Sequence, residues 1–255
     1  MMKLVTWNVN SLKVRLPHLL DWLALHQPDV VCLQETKMED ANFPWAAIEA
    51  AGYHVKYAGQ KAYNGVAILS RAALENVIVG MPGWEDPQQR VIAASVAGVR
   101  VICVYVPNGQ SIESDKFVYK LAWLRALTRY LADELRQYPN LVVIGDYNIA
   151  PTDEDVYDSV AWGDGVLVSP AEREAFHNLL ALGLVDSFRL FEQAAASFTW
   201  WDYRMAAFRR NMGARIDHVL VSEALVARCS GCEVDKAPRR LERPSDHAPV
   251  IVTLE

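Results

Sequence analysis

The chain is short of several things at once, and each shortage closes off a class of function. No apolar run approaches the roughly 20 residues that a membrane-spanning helix needs. Met1-Met2-Lys3 leads straight into Leu4-Val5, with no apolar leader and no small-residue cleavage site. A cytoplasmic protein that avoids membranes is expected. There are only four cysteines, and Cys32 and Cys103 lie inside apolar runs where a free thiol behaves as a small hydrophobe. Cys229 and Cys232 form a single Cys-x-x-Cys without the second ligand pair that zinc would require. Absent too are the Gly-rich phosphate loop ending in Gly-Lys-Ser/Thr, the dinucleotide fingerprint, His-Glu-x-x-His and the Gly-x-Ser-x-Gly elbow. Without repeats, low-complexity tracts or a linker, residues 1–255 are read as one domain, and nothing points to an obligate oligomer. Positive charge is also in deficit: the net −6 argues against polyanion binding by the whole surface. Arg204, Arg209, Arg210 and Arg215 nonetheless cluster, as do Lys236, Arg239, Arg240 and Arg243. Each run taken alone reads as a solvated face.

Short apolar runs rich in β-branched residues recur at 4–7, 30–33, 66–69, 101–104, 141–144, 219–221 and 250–252, and predict buried strands. Val91 to Val96 and Val99 to Val106 predict a hairpin across Gly98. Helical spacing is expected over Leu16 to Leu25, Ser114 to Gln137 and Pro170 to Leu182, with Ser169 as an N-cap. Asp153 to Asp164 reads as a surface loop. Strands mixed with helices and hairpins imply an α/β sandwich rather than a purely parallel sheet.

Polar residues gather at the mouths of these runs. Asn8 follows the first, Glu35 the second, Tyr105 and Asn108 the strand through Cys103, and Asp146 and Asn148 the run ending at Ile144. Asp217 precedes Val219, and Asp246-His247 precede the last run. Taken singly, each has an ordinary explanation as a cap, a turn or a surface ion pair. Taken together, they describe a cleft. Carboxylates and amide oxygens without paired cysteines are hard ligands, suited to Mg²⁺ or Mn²⁺ and to a phosphodiester substrate.

The segments that carry these residues resemble one family. Trp7-Asn8-Val9-Asn10-Ser11-Leu12, Leu33-Gln34-Glu35-Thr36-Lys37, Tyr105-Val106-Pro107-Asn108-Gly109, Gly145-Asp146-Tyr147-Asn148-Ile149-Ala150-Pro151, Thr199-Trp200-Trp201-Asp202-Tyr203-Arg204, Arg215-Ile216-Asp217 and Pro244-Ser245-Asp246-His247-Ala248-Pro249 are similar to the motifs of the exonuclease III family of AP endonucleases. The resemblance implies a DNase I-like four-layered α/β sandwich of two packed mixed sheets flanked by helices. It also implies a Mg²⁺-dependent phosphodiesterase of damaged double-stranded DNA, with Mn²⁺ as a substitute. Glu35 is then the principal metal ligand, with Asn8 and Asp246 near the metal and its water shell. Asp146 activates water or protonates the leaving group, Asn148 and Tyr105 hold the phosphate, and His247 faces it, oriented by Asp217. Either Asp146 or His247 handles the nucleophilic water. Trp200 and Ile216 match the lining of a sugar pocket, and Asn108, Arg204 and the arginines up to Arg215 are expected on the substrate.

Two departures bear on specificity. Asn10 stands where some relatives carry Asp. His177 aligns with a small residue in some relatives, so it is expected to narrow the sugar pocket and favour trimming of blocked 3' ends over AP-site incision. On residue type alone His177 is an ordinary surface-helix histidine. Two other readings remain: a phosphoesterase of the same fold acting on phosphoinositide or sphingomyelin-type substrates, and a DNA-binding module without catalysis.

Overall fold

The computed structural model describes residues 1–255. The first half of the chain runs β1 (Met2–Asn8), α1 (Leu12–His26), β2 (Val30–Gln34), α2 (Trp45–Ala50), β3 (His54–Ala58), β4 (Val66–Ser70), β5 (Glu75–Val79), β6 (Val91–Val96), β7 (Val99–Tyr105) and α3 (Asp115–Gln137). The second half adds β8 (Leu141–Asp146), α4 (Ser159–Trp162), α5 (Pro170–Leu180), β9 (Leu184–Asp186), β10 (Asp217–Ser222), α6 (Glu223–Val226), β11 (Cys229–Val234) and β12 (Val250–Leu254). The strands form two six-stranded sheets, ordered β11-β12-β1-β2-β4-β3 and β5-β6-β7-β8-β10-β9. Only β1 with β2 and β7 with β8 pair in parallel; every other neighbour is antiparallel.

Period-two alternation sorts the strand residues into three apolar layers. Leu4, Val30, Cys32, Ile68, Ile92, Val101, Ile144 and Val252 point between the sheets. Their sequence neighbours Val5, Val31, Leu33 and Leu69 face the other way, onto Leu19, Trp22 and Leu23 of α1 and Ile48 of α2. Ile102, Val104, Leu141 and Val143 face Trp123, Leu124, Leu127 and Leu131 of α3 and Phe176 and Leu179 of α5. Helix, sheet, sheet and helix make four layers. The strands through Val30, Val66 and Val101 are buried on both sides, which is why they read as unbroken apolar runs rather than alternating ones.

Several boundaries differ from the sequence reading. Helix α1 starts at Leu12 rather than Leu16, because Pro17 lies inside it and does not open it. Gln27 ends it in the left-handed conformation, just before Pro28. Asp153 to Asp164 is not plain loop: it holds a 3₁₀ turn, Asp153–Asp155, and α4. Ser114 caps α3 by accepting from the Phe117 amide, and Ser169 caps α5 in a reciprocal box with Glu172. Cys229 and Cys232 lie on β11, where a register shift lets both pack toward the inter-sheet layer as free thiols. No helix is long and apolar enough to cross a membrane.

Candidate active site at the mouths of the two sheets

Both sheets open at the same end. In the second sheet Tyr105 of β7 and Asp217 of β10 flank Asp146 of β8, one in parallel and one in antiparallel register. In the first sheet Asn8 ends β1, Glu35 follows β2, and His247 precedes β12. Asn8 ties the two together, because its Nδ2 donates to Glu35 Oε1 and to Asp146 Oδ2, each at 2.8 Å. Its Oδ1 accepts from the Asn10 amide at 2.9 Å, so Asn8 offers the site a donor and turns its oxygen away.

His247 stands between two carboxylates. Its Nδ1 donates to Asp217 Oδ2 at 2.9 Å, and its Nε2 is 3.8 Å from Asp146 Oδ2. Thr199 fixes the orienting carboxylate: its hydroxyl donates to Asp217 Oδ2 at 2.6 Å and accepts from the Ile216 and Asp217 amides at 3.1 Å. Burial works against charge on His247, but the charges of Asp217 and Asp146 and the Asp217 hydrogen bond outweigh it and lift the imidazole to about 10. Burial pushes the Asp146 carboxyl up, the His247 charge pulls it down and Asp217 adds to the rise, leaving it at about 7. For Tyr105, burial and then the Glu35 and Asp146 charges hold the hydroxyl well above its usual range, so it stays a donor. At neutral pH the site therefore combines an imidazolium, a phenol and a carboxyl poised to exchange a proton.

Asn148 lies two residues past Asp146. Its amide donates to Asp146 Oδ1 at 2.9 Å, and its Oδ1 accepts from Asn108 Nδ2 at 3.0 Å. Asn148 and Glu35 both adopt left-handed backbone, with φ of 48° and 53°. Such a conformation costs about 1–3 kcal/mol at Glu35 and persists where surrounding bonds hold it; asparagine adopts it more readily than other non-glycine residues.

Glu35, Asp146 and His247 bring ligand atoms within 4.8 Å of one another. Two converging carboxylates are a hard oxygen set, which fits a divalent cation of the Mg²⁺ kind and not zinc. His247, protonated, is a poor third ligand. Asp246 is not part of that group: its oxygens accept from Asn10 Nδ2 at 2.9 Å and from Trp200 Nε1 at 3.0 Å. Burial opposes the Asp246 charge, but His247 and these two donors together keep its carboxyl below the usual range.

Beside Asp246 a cavity of about 600 Å³ opens, lined by Trp162, Val166, Trp200, Arg204, Met205 and Met212 among others. Ile216 is buried under it in one apolar cluster with Ala214 and Leu167. Arg204 is exposed at its edge, paired with Asp202 at 2.7 Å. Two expectations are corrected here. Arg215 is no phosphate contact, being 1% exposed and locked between Asp155 at 2.7 Å and Asp186 at 2.8 Å. His177 does not line the cavity; it is exposed on α5, next to Phe176, which points inward. Aligning the chain by residue order could not tell which side of α5 a given position takes.

Sequence reasoning passed over three side chains. Thr199 and Lys37 sat inside quoted motifs without a role, yet Lys37 Nζ is 2.8 Å from Glu35 Oε2 and also donates to Asn10 Oδ1. Lys120, fully buried on α3, bonds the backbone of both Asn108 and Asn148. Nothing in the helical pattern marked it out.

Comparison with known proteins places this geometry. The model of the endonuclease/exonuclease/phosphatase family matches residues 5–247. The chain belongs to this family. Its relatives lie in the exonuclease III group: exodeoxyribonuclease III of Haemophilus influenzae is 38% identical, with 98% of each chain covered. Among solved structures, the 3' phosphatase NExo (D146N) from Neisseria, bound to a product DNA hairpin, is 50% identical over all of both chains, with a TM-score of 0.99. An AP endonuclease from Archaeoglobus fulgidus is 38% identical over all of both chains, with a TM-score of 0.96. The exonuclease III family thus accounts for the whole chain, four-layered sandwich included.

Proposed function

We propose that this exonuclease III family member is a Mg²⁺-dependent DNA repair phosphodiesterase, acting as a monomeric, cytoplasmic single domain on duplex DNA. Its main work is to clear 3'-phosphates and other blocked 3' ends, with 3'-to-5' exonuclease and AP-site incision as secondary activities. The observation that carries the reading is the convergence of Glu35, Asp146 and the Asp217–His247 pair at the joined mouths of both sheets. The 3'-end emphasis rests on the end-to-end 50% identity with a 3' phosphatase, not on His177.

Glu35 and Asp146 would hold the cation. When bound, it neutralises charge on the phosphate oxygens and supports an attacking water. The protein's own groups carry the remaining steps. His247 Nε2–H, the Tyr105 hydroxyl and the amides of Asn108 and Asn148 donate to the phosphate oxygens where charge builds. Asp146 accepts the proton of the attacking water, because His247, held charged between Asp217 and Asp146, is a donor. Asp217 keeps the imidazole charged and turned. The apolar cavity beside Trp200 takes the terminal sugar, and Arg204 meets a flanking phosphate.

The deciding assay compares a 3'-phosphate at a nick, a recessed matched end and an internal AP site, with Mg²⁺ and with chelator. Fastest turnover is expected at the 3'-phosphate, with none under chelator. AP incision as the dominant activity, or turnover without any divalent ion, would overturn the reading. His177→Gly is expected to leave all three rates unchanged. The relatives compared above are all nucleases or DNA 3'-end enzymes, so the lipid-headgroup reading has no support; Mg²⁺-dependent DNA turnover that is lost in Glu35→Ala would exclude the inactive-module reading.

A further inference from the structure

Lys120 and Glu172 are both fully buried and bonded to each other, yet neither touches the cleft. An ammonium has three protons to place, and Lys120 places all three: on Glu172 Oε1, on the Asn108 carbonyl at 3.1 Å and on the Asn148 carbonyl at 2.6 Å. Asn108 follows β7 and Asn148 follows β8, so a single cation grips the two loops whose side chains meet each other at the cleft. The Glu172 carboxylate has its own set of donors: the Leu167 amide at 3.0 Å, the Ser169 amide at 3.2 Å and the Ser169 hydroxyl at 2.6 Å. Leu167 belongs to the apolar cluster with Trp200 and Ile216, and its carbonyl accepts from the Ala150 amide at 2.8 Å.

Desolvating an ion pair this completely is costly, and replacing such a pair by apolar residues is often neutral or stabilising. Fold stability alone therefore gives no reason for the pair. Asn148 does, because its left-handed backbone is gripped from both sides, its amide by Asp146 and its carbonyl by Lys120, while its side-chain amide donates to the Val106 carbonyl at 3.0 Å.

We propose that Lys120 and Glu172 are positioning residues, an internal strut that sets the backbone of Asn108 and Asn148 and links it to the floor of the Trp200 cavity. The proposal rests on the reading that these two asparagines meet the scissile phosphate. Without the strut both asparagine side chains are still present, but the Asn148 peptide can leave the left-handed conformation and its amide drifts from the phosphate. Ground-state binding, spread over the whole DNA contact, is little affected.

Lys120→Met/Glu172→Gln removes both charges together, so no buried ion is left alone. On a 3'-phosphate nick its kcat is expected to fall about 100-fold, the usual scale for misplacing a reacting group by an ångström. KM should stay near that of the parent, and melting temperature should fall by a few degrees, because two carbonyls lose their donor. Glu172→Gln alone leaves the Lys120 ammonium buried without its counter-charge and loosens the same strut, so its kcat should fall in the same direction by a smaller factor; it decides the matter if the double variant does not fold, because parental kcat in folded Glu172→Gln, or a loss of kcat with Asn148 unmoved, overturns the proposal. A folded double variant with parental kcat, or a crystal structure of it with Asn148 still at positive φ, overturns it as well. If the parent enzyme turns over no DNA substrate, the functional reading fails instead, while Asn148 in the variant structure still reports on the strut.

Discussion

At the residue scale, the site is a set of charges arranged so that one cannot change without the others. Asp146→Asn keeps the shape but removes both the proton acceptor and one carboxylate of the cation site, and kcat is expected to fall by at least about 10²–10⁴-fold with DNA binding retained; single-turnover cleavage alongside a binding titration checks this. The same charges make the metal-free fold sensitive to pH. His247 is raised from 6.5 to about 10, so its contribution to stability is complete below pH 6.5 and is lost as pH rises through 10. Asp146, raised from 3.8 to about 7, acts in the same sense over a lower window. Melting temperature in chelator should therefore decline between pH 6.5 and 10. Asp217→Asn, which removes the main partner of His247, should flatten that decline. Parallel melting curves for parent and variant would show the His247 account to be wrong.

At the element scale, the eight strands predicted from apolar runs and from the Gly98 hairpin are the inner strands of the two sheets. The four that were not predicted, β3, β5, β9 and β11, are the four sheet edges. The reason is physical. An inner strand here is covered on both faces and reads as a continuous apolar run, whereas β3 and β5 have mostly exposed or half-buried residues and β9 has only three. Helix ends were more legible, since caps are local chemistry. Ser114→Ala should cost about 1 kcal/mol through the lost bond to the Phe117 amide, without touching turnover. Denaturant titration gives the first number and a nick assay the second. Pro17 shows the opposite case: a residue that usually opens a helix lies inside one because α1 is packed along its length against β1 and β2.

At the scale of the whole molecule, catalysis depends on two sheets that are held in register by packing. Ile144 is fully buried between them, and Ile144→Ala should cost about 2–5 kcal/mol, by urea denaturation. Net charge works against the substrate. With −6 overall, DNA attraction must come from a few local cations, so the salt dependence of binding should be modest and should respond to single residues. Arg204→Ala is expected to reduce the slope of log affinity against log salt by about 1, measured by fluorescence anisotropy on a nicked duplex. An unchanged slope would remove Arg204 from the phosphate contacts.

The sequence by itself determined the fold class and most of the chemistry: apolar runs have to be buried, and hard ligands at their ends have to converge where those runs stop. It also carried the family, because seven motifs in order leave little freedom. What only the tertiary structure decided were questions of facing and distance. Arg215 reads like any other arginine until Asp155 and Asp186 close around it, and Lys120 like any helix lysine until two loops bring their carbonyls to it. His177 and Phe176 are neighbours on α5, yet the first is exposed and the second buried in the core. Asn8 reads as a possible ligand, and only the placement of Glu35 and Asp146 on either side of it makes it the donor that joins the two sheets. Side-chain identity is local information; which groups a side chain meets depends on chain segments more than a hundred residues away, as with Asn8 and Asp146, and is settled when the layers pack.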